Sequence, residues 1–444
     1  ACFHAAYTLL KFPAAGLLIF GFAYGLIRLT DQPNVRRAFY FGLATGFLCY
    51  APQLFFMWRI FGPLAIVLWL VLAFWIGLFL LLAHHCAKKF GRATAVFLIP
   101  FLWTGLEYFR SELYYLRFSW MSVGYAFSFS NDLFLFKFLG VYGIGFVLAL
   151  IASLATFSQT QRRTIILLGT CSLALALPNF KNSSPPLNSS AKPFVAGVQL
   201  EFPDDKNVVR ALDALLKKFP ETDLFVLSEY TFLETVPVTV KNWCKRNQRH
   251  LIVGGKDPAG SDYYDTAFVV GTNGEVVFKQ AKSVPIQFFK DGLAAKKQNV
   301  WDSPWGKIGI CICYDLSYRR VVDELIRQGA QALIVPTMDV IDWGKYQHEL
   351  HSRIGPARAA EFGIPVVRIA SSGISQIVNS DGSIQCSAPF PGENEMIAGR
   401  LDMKNSGHRP LDFLLAPLAV LITGATIIWL AAANLLSILR TRKT

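Results

Sequence analysis

The sequence predicts two architectures in one chain: a multi-span α-helical membrane domain and one layered α/β domain that stands outside the cytoplasm. Three observations carry this. Charge is scarce, with 16% charged and 53% hydrophobic residues in 444, against roughly 25% charged in an ordinary soluble domain. The scarcity is uneven: residues 1–180 and 411–439 hold long uncharged runs, whereas charges are spread through 194–400. From Pro193 onward, strand-like and helix-like stretches alternate, over about two hundred residues, a usual size for one domain. The expected layout is a helical membrane domain at 1–180, a linker at 181–192, an α/β domain at 193–405, a last spanning helix at 411–439 and a tail at 440–444.

A spanning helix takes about 20 apolar residues. Such runs fall at Phe12–Ile27, Ala38–Trp58, Gly62–His84, Ala93–Leu106, Phe138–Phe157, Thr164–Pro178 and Phe413–Leu439. Ala1–Leu10 is also apolar, and is expected to end a further helix that starts before this chain does. Basic residues cluster in every second loop: Arg28, Arg36 and Arg37; Lys88, Lys89 and Arg92; Arg162 and Arg163; and Arg440, Arg442 and Lys443 after the last span. Basic loops stay in the cytoplasm, so alternation puts the α/β domain on the other face. The net charge of +13 therefore reports orientation. Without a basic stripe interleaved with aromatics, nucleic acid is excluded as a partner. The aromatics of Glu107–Asp132, Trp120 among them, suit a membrane interface, or a rim that guides lipid.

Asn179–Lys192, with Asn-Ser-Ser-Pro-Pro, reads as the linker. Strands are expected at Phe194–Gln199, Leu224–Leu227, His250–Val253, Ala267–Val270, Val276–Lys279, Ile308–Ile312, Ala332–Val335, Val366–Ala370 and Gln376–Val378, and helices at Asn207–Lys218, Val238–Asn247, Arg320–Gln328 and Gln347–Phe362. Thr272-Asn273-Gly274 marks a hairpin. The eight cysteines form no disulfide framework, and without clustered His or paired CxxC no metal or other cofactor is expected. Cys311 and Cys313 sit two apart, so a strand would turn them to opposite faces.

Three apolar strands end in reactive residues: Leu224-Phe-Val-Leu-Ser-Glu229, Phe278-Lys-Gln-Ala-Lys282 and Lys307-Ile-Gly-Ile-Cys-Ile-Cys313-Tyr314-Asp315. Each alone has an ordinary reading: a turn cap, solvent-facing lysines, an inert core thiol. In the order Glu, Lys, Cys they resemble the nitrilase superfamily, whose catalytic set has that order. Pro336-Thr-Met-Asp339 with Trp343-Gly344, Ala357-Arg-Ala-Ala-Glu361 and Ser371-Ser372-Gly373 extend the likeness. The membrane spans, with Phe118-Ser-Trp120-Met-Ser-Val-Gly124-Tyr125, narrow it to the superfamily's membrane branch, the apolipoprotein N-acyltransferase family.

The resemblance implies a nitrilase-like α-β-β-α sandwich on the extracytoplasmic side of a bacterial inner membrane. It implies acyl transfer from a phospholipid, through a thioester on Cys313, to the terminal amine of a diacylated apolipoprotein. Glu229 would be the base, and Lys282 with the Tyr314 N–H would stabilise the oxyanion. Asp315, Asp291, Trp120, Trp343 and Ser372 would support or bind. The enzyme is expected to be a monomer. Where the family commonly reads Lys-x-x-Leu-Val-Pro-Phe-Gly-Glu, this chain reads Lys282-Ser-Val-Pro-Ile-Gln-Phe-Phe-Lys290. The supporting glutamate falls on Lys290, so either Asp291 takes over with a one-residue shift or the role is missing. Lys279 is the competing lysine; Lys282 is preferred because Ile286 and Phe288 then fall where the family has Val and Phe. Asp315 stands where better-known members have Glu. The other readings are a membrane-tethered amidase or hydrolase, and a transport or binding protein with a degenerate enzyme domain. Few ionisable residues in the spans argue against transport.

The charge pattern makes a test. A single reporter cysteine at Lys192 is expected to react with impermeant reagents only from outside the cytoplasm, and one at Thr444 only from within. Labelling of position 192 from the cytoplasm alone would overturn the orientation.

Overall fold

The computed structural model describes residues 1–8, 16–128, 134–157, 192–403 and 406–441. The expected span Thr164–Pro178 and nearly all of the linker lie outside these residues. The chain divides into two compact units, Ala1–Phe180 with Pro410–Thr444, and Lys181–Arg409.

The first unit is helical: α1 Cys2–Thr8, α2 Leu18–Arg28, α3 Val35–Gln53, α4 Phe56–Phe61, α5 Leu64–Tyr108, α6 Phe134–Phe157 and, from the chain's far end, α12 Asp412–Thr441. Among the described residues three helical runs are long and apolar enough to cross a membrane: Leu64–Leu113, Leu135–Phe157 and Asp412–Leu436. The run in α5 is two helices joined at Gly91, whose φ of 79° is not helical, so the expected spans Gly62–His84 and Ala93–Leu106 fall on either side of that joint. The expected span Ala38–Trp58 is interrupted between α3 and α4. The break begins at Leu54, whose φ is −113°; just before it, Pro52 brings no N–H to the Leu48 carbonyl. The freed carbonyl accepts from His4 Nε2 at 3.0 Å, and His4 Nδ1 accepts from Gln53 Nε2 at 2.9 Å.

A second joint lies in α6 at Gly140, with φ 71°. Here Asp412 accepts from the Tyr142 amide at 3.0 Å, while the Tyr142 hydroxyl donates to Glu112 at 2.9 Å. Buried acidic groups in an apolar unit persist only with such donors.

The second unit holds two six-stranded sheets, ordered β12-β1-β2-β3-β4-β5 and β11-β10-β9-β8-β7-β6. The strands are β1 Phe194–Val198, β2 Leu224–Val226, β3 His250–Ala259, β4 Asp262–Val270, β5 Val276–Ala281, β6 Val300–Ser303, β7 Gly306–Ile310, β8 Ala332–Thr337, β9 Val366–Ala370, β10 Ser375–Val378, β11 Ile384–Ala388 and β12 Met396–Arg400. In each sheet three parallel strands lead into an antiparallel meander, and one antiparallel strand closes the other edge. The two sheets thus repeat one plan. Helices α7 Asp205–Lys218 and α8 Val238–Asn247 follow β1 and β2; α9 Arg319–Arg327, α10 Lys345–Ser352 and α11 Ile354–Phe362 belong to the second repeat.

Alternation builds the layers. Ala196 and Val198 join the core under α7 and α8 with Phe225, Leu212 and Trp243, while Gly197 faces β9, so close that a Cβ there would meet Ile369 at 2.4 Å. This is the helix-sheet-sheet-helix sandwich expected. Strands buried on both faces read as continuous apolar runs, which is why β1, β2, β8 and β9 were legible.

The expected long helix Gln347–Phe362 is two, α10 and α11, parted at Arg353. Pro356 supplies no N–H to the Ser352 carbonyl. The expected strand Ile308–Ile312 stops at Ile310 because Cys313 turns the chain. β6, β11 and β12 carry little apolar pattern, and β11 is exposed over much of its length.

Gly140→Ala would put a Cβ 2.1 Å from the Asp412 carboxylate at a positive φ. We expect a loss of about 2–4 kcal/mol, read as a lower unfolding temperature in detergent; unchanged melting would exclude this packing.

Candidate active site

Glu229, Lys282 and Cys313 each lie just past the end of a strand, β2, β5 and β7. β5 is antiparallel to β4, and β4 to β3, so β2, β3 and β5 run the same way and deliver Glu229 and Lys282 to one end of their sheet. Carboxyl ends of strands are where layered α/β folds place ligands.

Glu229 sits on a turn pressed against β3. The Leu227 amide donates to Ile252 O, and Gly254 donates to Ser228 O. A Cβ on Gly254 would lie 2.5 Å from the Glu229 Cα, so only glycine lets the turn approach. Lys282 is fixed on both sides: its amide donates to Asp265 O at 2.8 Å, and its carbonyl accepts from Ala295 at 2.7 Å.

The Lys282 ammonium is buried among three carboxylates. Its Nζ lies 2.6 Å from Glu229 Oε1, 2.8 Å from Asp291 Oδ2 and 3.4 Å from Asp265 Oδ2. Burial pushes the lysine pKa down, but Asp291, Glu229 and Asp265 outweigh it and hold it well above the usual value. The three acids converge closely enough to hold a metal ion, but the ammonium stands among them as their cation. Asp291 also accepts from the Tyr230 hydroxyl at 2.9 Å and the Ile286 amide at 2.7 Å.

The one-residue shift is therefore what the loop adopts: Asp291 reaches the lysine, and Phe288 takes a φ of 69° on the way. Lys290 is exposed; its carbonyl accepts from Tyr263 Oη. Lys279, the competing lysine, is exposed and pairs with Asp257.

Cys313 opens a tight turn, Cys313–Ser317, with φ 48°. A non-glycine residue at positive φ is uncommon and is held there by its surroundings. Asp315 supplies that hold. Its carboxylate accepts from Ser283 at 3.0 Å, Val284 at 2.7 Å and Ile312 at 3.2 Å, so one side chain ties the lysine loop to the cysteine turn. Burial raises Asp315 to about 6, against the pull of those amides and Lys282.

The Met338 backbone, past the end of β8, binds the other two. Its amide donates to Glu229 Oε2 at 2.6 Å, and its carbonyl accepts from Cys313 Sγ at 3.6 Å. Burial and then the Glu229 charge push the Cys313 thiol well above its usual 9.0, Lys282 pulling the other way. The resting group is therefore a thiol beside a carboxylate.

Behind Met338, Asp339 accepts from Arg368 and lies 2.9 Å from His351 Nδ1. Tyr314 is buried edge-on to Tyr318. Ser372 donates to Glu201, which also accepts from the Ile341 amide. Trp343 is 6.1 Å, ring to ring, from Phe289. Trp120 belongs to the helical unit, where it stacks on Phe56 and meets Phe118 at a tilt of 48°. Cys311 is fully buried.

Residues 3–154 match the family described as apolipoprotein N-acyltransferase N-terminal domain, and residues 206–408 match carbon-nitrogen hydrolase. Three curated relatives bear the name apolipoprotein N-acyltransferase. The one from Geobacter metallireducens is 24% identical, covering 86% of this chain and 85% of its own. That from Shewanella oneidensis is 22% identical over 81% of each, and that from Rickettsia typhi 26% identical over 82% and 84%. The chain belongs to the apolipoprotein N-acyltransferase family. It is a membrane enzyme of the N-acyltransferase class with a nitrilase-like domain.

Sequence reading missed Asp265, Tyr230 and Met338. Asp265 did leave a signal, an acid in the middle of a strand, where Asp is depleted. Met338 acts through its backbone and leaves none.

The electrostatics predict a separation of effects. The Glu229 charge raises the Cys313 pKa, so Glu229→Gln is expected to lower the thiol's titration midpoint, followed by alkylation rate against pH. The same change should abolish acylation, because an amide accepts no proton. A midpoint that stays or rises would show that Glu229 does not face the thiol.

Proposed function

We propose that this enzyme moves an acyl chain from a phospholipid to the N-terminal amine of a diacylglyceryl-cysteine on apolipoproteins, giving triacylated lipoproteins. The observation that carries the reading is the buried thiol and carboxylate held on the Met338 backbone beside a lysine of fixed charge, in a chain that also carries membrane-spanning helices.

In the first half-reaction Glu229 takes the Cys313 proton as Sγ attacks the ester carbonyl. The oxyanion forms near the Lys282 charge and the Tyr314 amide; one such donor is worth about 3–4 kcal/mol. The ester C–O bond breaks, and Glu229 returns the proton to the departing lysophospholipid alkoxide. In the second half the acceptor amine attacks the thioester, Glu229 takes its proton, and the sulfur leaves and is reprotonated. Two easier steps replace one hard one, with ping-pong kinetics.

An apolar donor fits the surroundings. Phe288, Phe289 and Leu293 beyond the lysine loop, and Ile341 beyond Met338, are exposed. Exposed apolar groups gathered near a reactive centre mark a binding surface, and they keep water from the thioester. The orientation follows the basic loops, with the α/β unit outside the cytoplasmic membrane, where a bacterial lipoprotein's terminal amine is presented.

Intact mass spectrometry after incubation with a diacyl phospholipid tests this. An acyl adduct is expected on Cys313, discharged by a diacylated lipopeptide. Cys313→Ala should form none and Cys311→Ala should retain it. Discharge by water as fast as by lipopeptide would mark a hydrolase instead.

A further inference from the structure

Counting hydrogen-bond donors around Lys282 separates its three acids. Asp291 accepts from Tyr230, Ile286 and Lys282, and Glu229 from Met338 and Lys282. Each has the donors that an ionised carboxylate requires. Asp265 does not. It is fully buried on β4, neither of its oxygens accepts a hydrogen bond among the described residues, and Lys282 Nζ stands off at 3.4 Å. Ionising all three acids beside one ammonium would leave two uncompensated charges in the interior. Proteins escape such a cost by protonating one group.

We infer that Asp265 is a neutral carboxylic acid in the resting enzyme and acts as a positioning residue that offers its O–H to Glu229. One oxygen from each of Glu229, Asp265 and Asp291 lies within 4.8 Å of the other two, and Glu229 is the side chain that hydrogen-bonds Asp265 when Asp265 carries a proton. The groups facing Asp265 are Glu229 and Tyr230 beyond β2, Lys282 beyond β5, Asp291 on the following loop, Tyr263 on its own strand, and Lys256 opposite it on β3, whose ammonium lies over the rings of Tyr263 and Tyr230 at 4.4 and 5.7 Å and forms no ion pair with Asp265 among the described residues. Four of them, Glu229, Asp291 and the two tyrosines, favour a proton on Asp265 or cannot supply it with a second cation. Burial and the Glu229 charge both drive Asp265 well above the ordinary carboxyl range, Lys282 pulling down.

The role rests on the acyl-transfer reading; the protonation state does not. With Asp265 neutral, Lys282 balances two carboxylates. Glu229 stays ionised and keeps one lone pair for the Cys313 proton. When Glu229 becomes protonated during attack, Asp265 turns its hydrogen bond to the new acid's oxygen and no net charge is added to the site.

Infrared difference spectra of the full-length protein in detergent, wild type against Asp265→Asn at neutral pH, test the proton directly. A carboxylic-acid C=O band that shifts in deuterated buffer is expected in wild type and missing from the variant. Its absence from wild type would overturn the proposal. Single-turnover acylation with a diacyl phospholipid tests the role. Asp265→Ala is expected to slow acylation on the order of tenfold to a hundredfold, the worth of one hydrogen bond to a charged group. Asp265→Asn, which restores a neutral donor, should recover most of that loss. Asparagine no better than alanine would overturn the role, and the infrared band keeps the proposal open to refutation if Asp265→Ala fails to fold. A wild-type enzyme with the acid band but no acyl adduct would sink the acyl-transfer reading and leave the protonation state standing.

Discussion

A lysine ammonium with no contact with water needs compensation from the protein, and in this enzyme that need organises the α/β unit. Lys282 draws Glu229 from β2, Asp265 from β4 and Asp291 from the following loop to within 3.4 Å of one nitrogen. None of these acids is near another in sequence except through the fold. Removing the ammonium would leave Glu229 and Asp291 as buried charges without their cation, which costs far more than a surface ion pair is worth. The cluster therefore constrains the register of β2 through β5, and the strands in turn hold Glu229 at fixed distance from the lysine.

Cys313 is held by a second, smaller set of bonds. Asp315 grips the amides of Ser283, Val284 and Ile312, so the lysine loop and the cysteine turn cannot move apart without stripping a buried carboxylate of donors. The Met338 backbone does the same for Glu229 and Cys313. Positive φ at Cys313 is sustained by these bonds. The electrostatic outcome is a protonated thiol, not a stored thiolate. Such a resting state resists oxidation and stray alkylation, because thiolate is the reactive form.

The helical unit obeys the same rule with less charge. Asp412 and Glu112 each accept a hydrogen bond from Tyr142, one from its amide and one from its hydroxyl. The carbonyl that Pro52 frees on Leu48 is met by His4. In an apolar medium a backbone or carboxyl oxygen without a donor costs several kcal/mol, and the carbonyl freed by Pro52 and the joint at Gly140 are each met by a polar side chain from elsewhere in the chain.

The sequence by itself determined the division into a membrane part and an α/β part, because hydropathy and charge are local. It determined β1, β2, β8 and β9 and the helices α7, α8 and α9 for the same reason: each buries a stripe or a whole strand, and the residues needed are contiguous. Glu229, Lys282 and Cys313 each had an ordinary reading by itself, and only their order, through its likeness to the nitrilase superfamily, made them candidates. Tertiary structure alone decided which lysine is buried, for Lys279 and Lys282 are three residues apart and differ only in what surrounds them. It decided that Asp291 and not Lys290 meets the lysine, a matter of one turn's path through Phe288. It brought in Asp265, Tyr230 and the Met338 backbone, whose contributions are distances and donors that no local pattern encodes. It broke the helix before Pro356 and ended β7 at Ile310, where the proline's missing N–H and a bond network around Asp315 overrode the apolar periodicity.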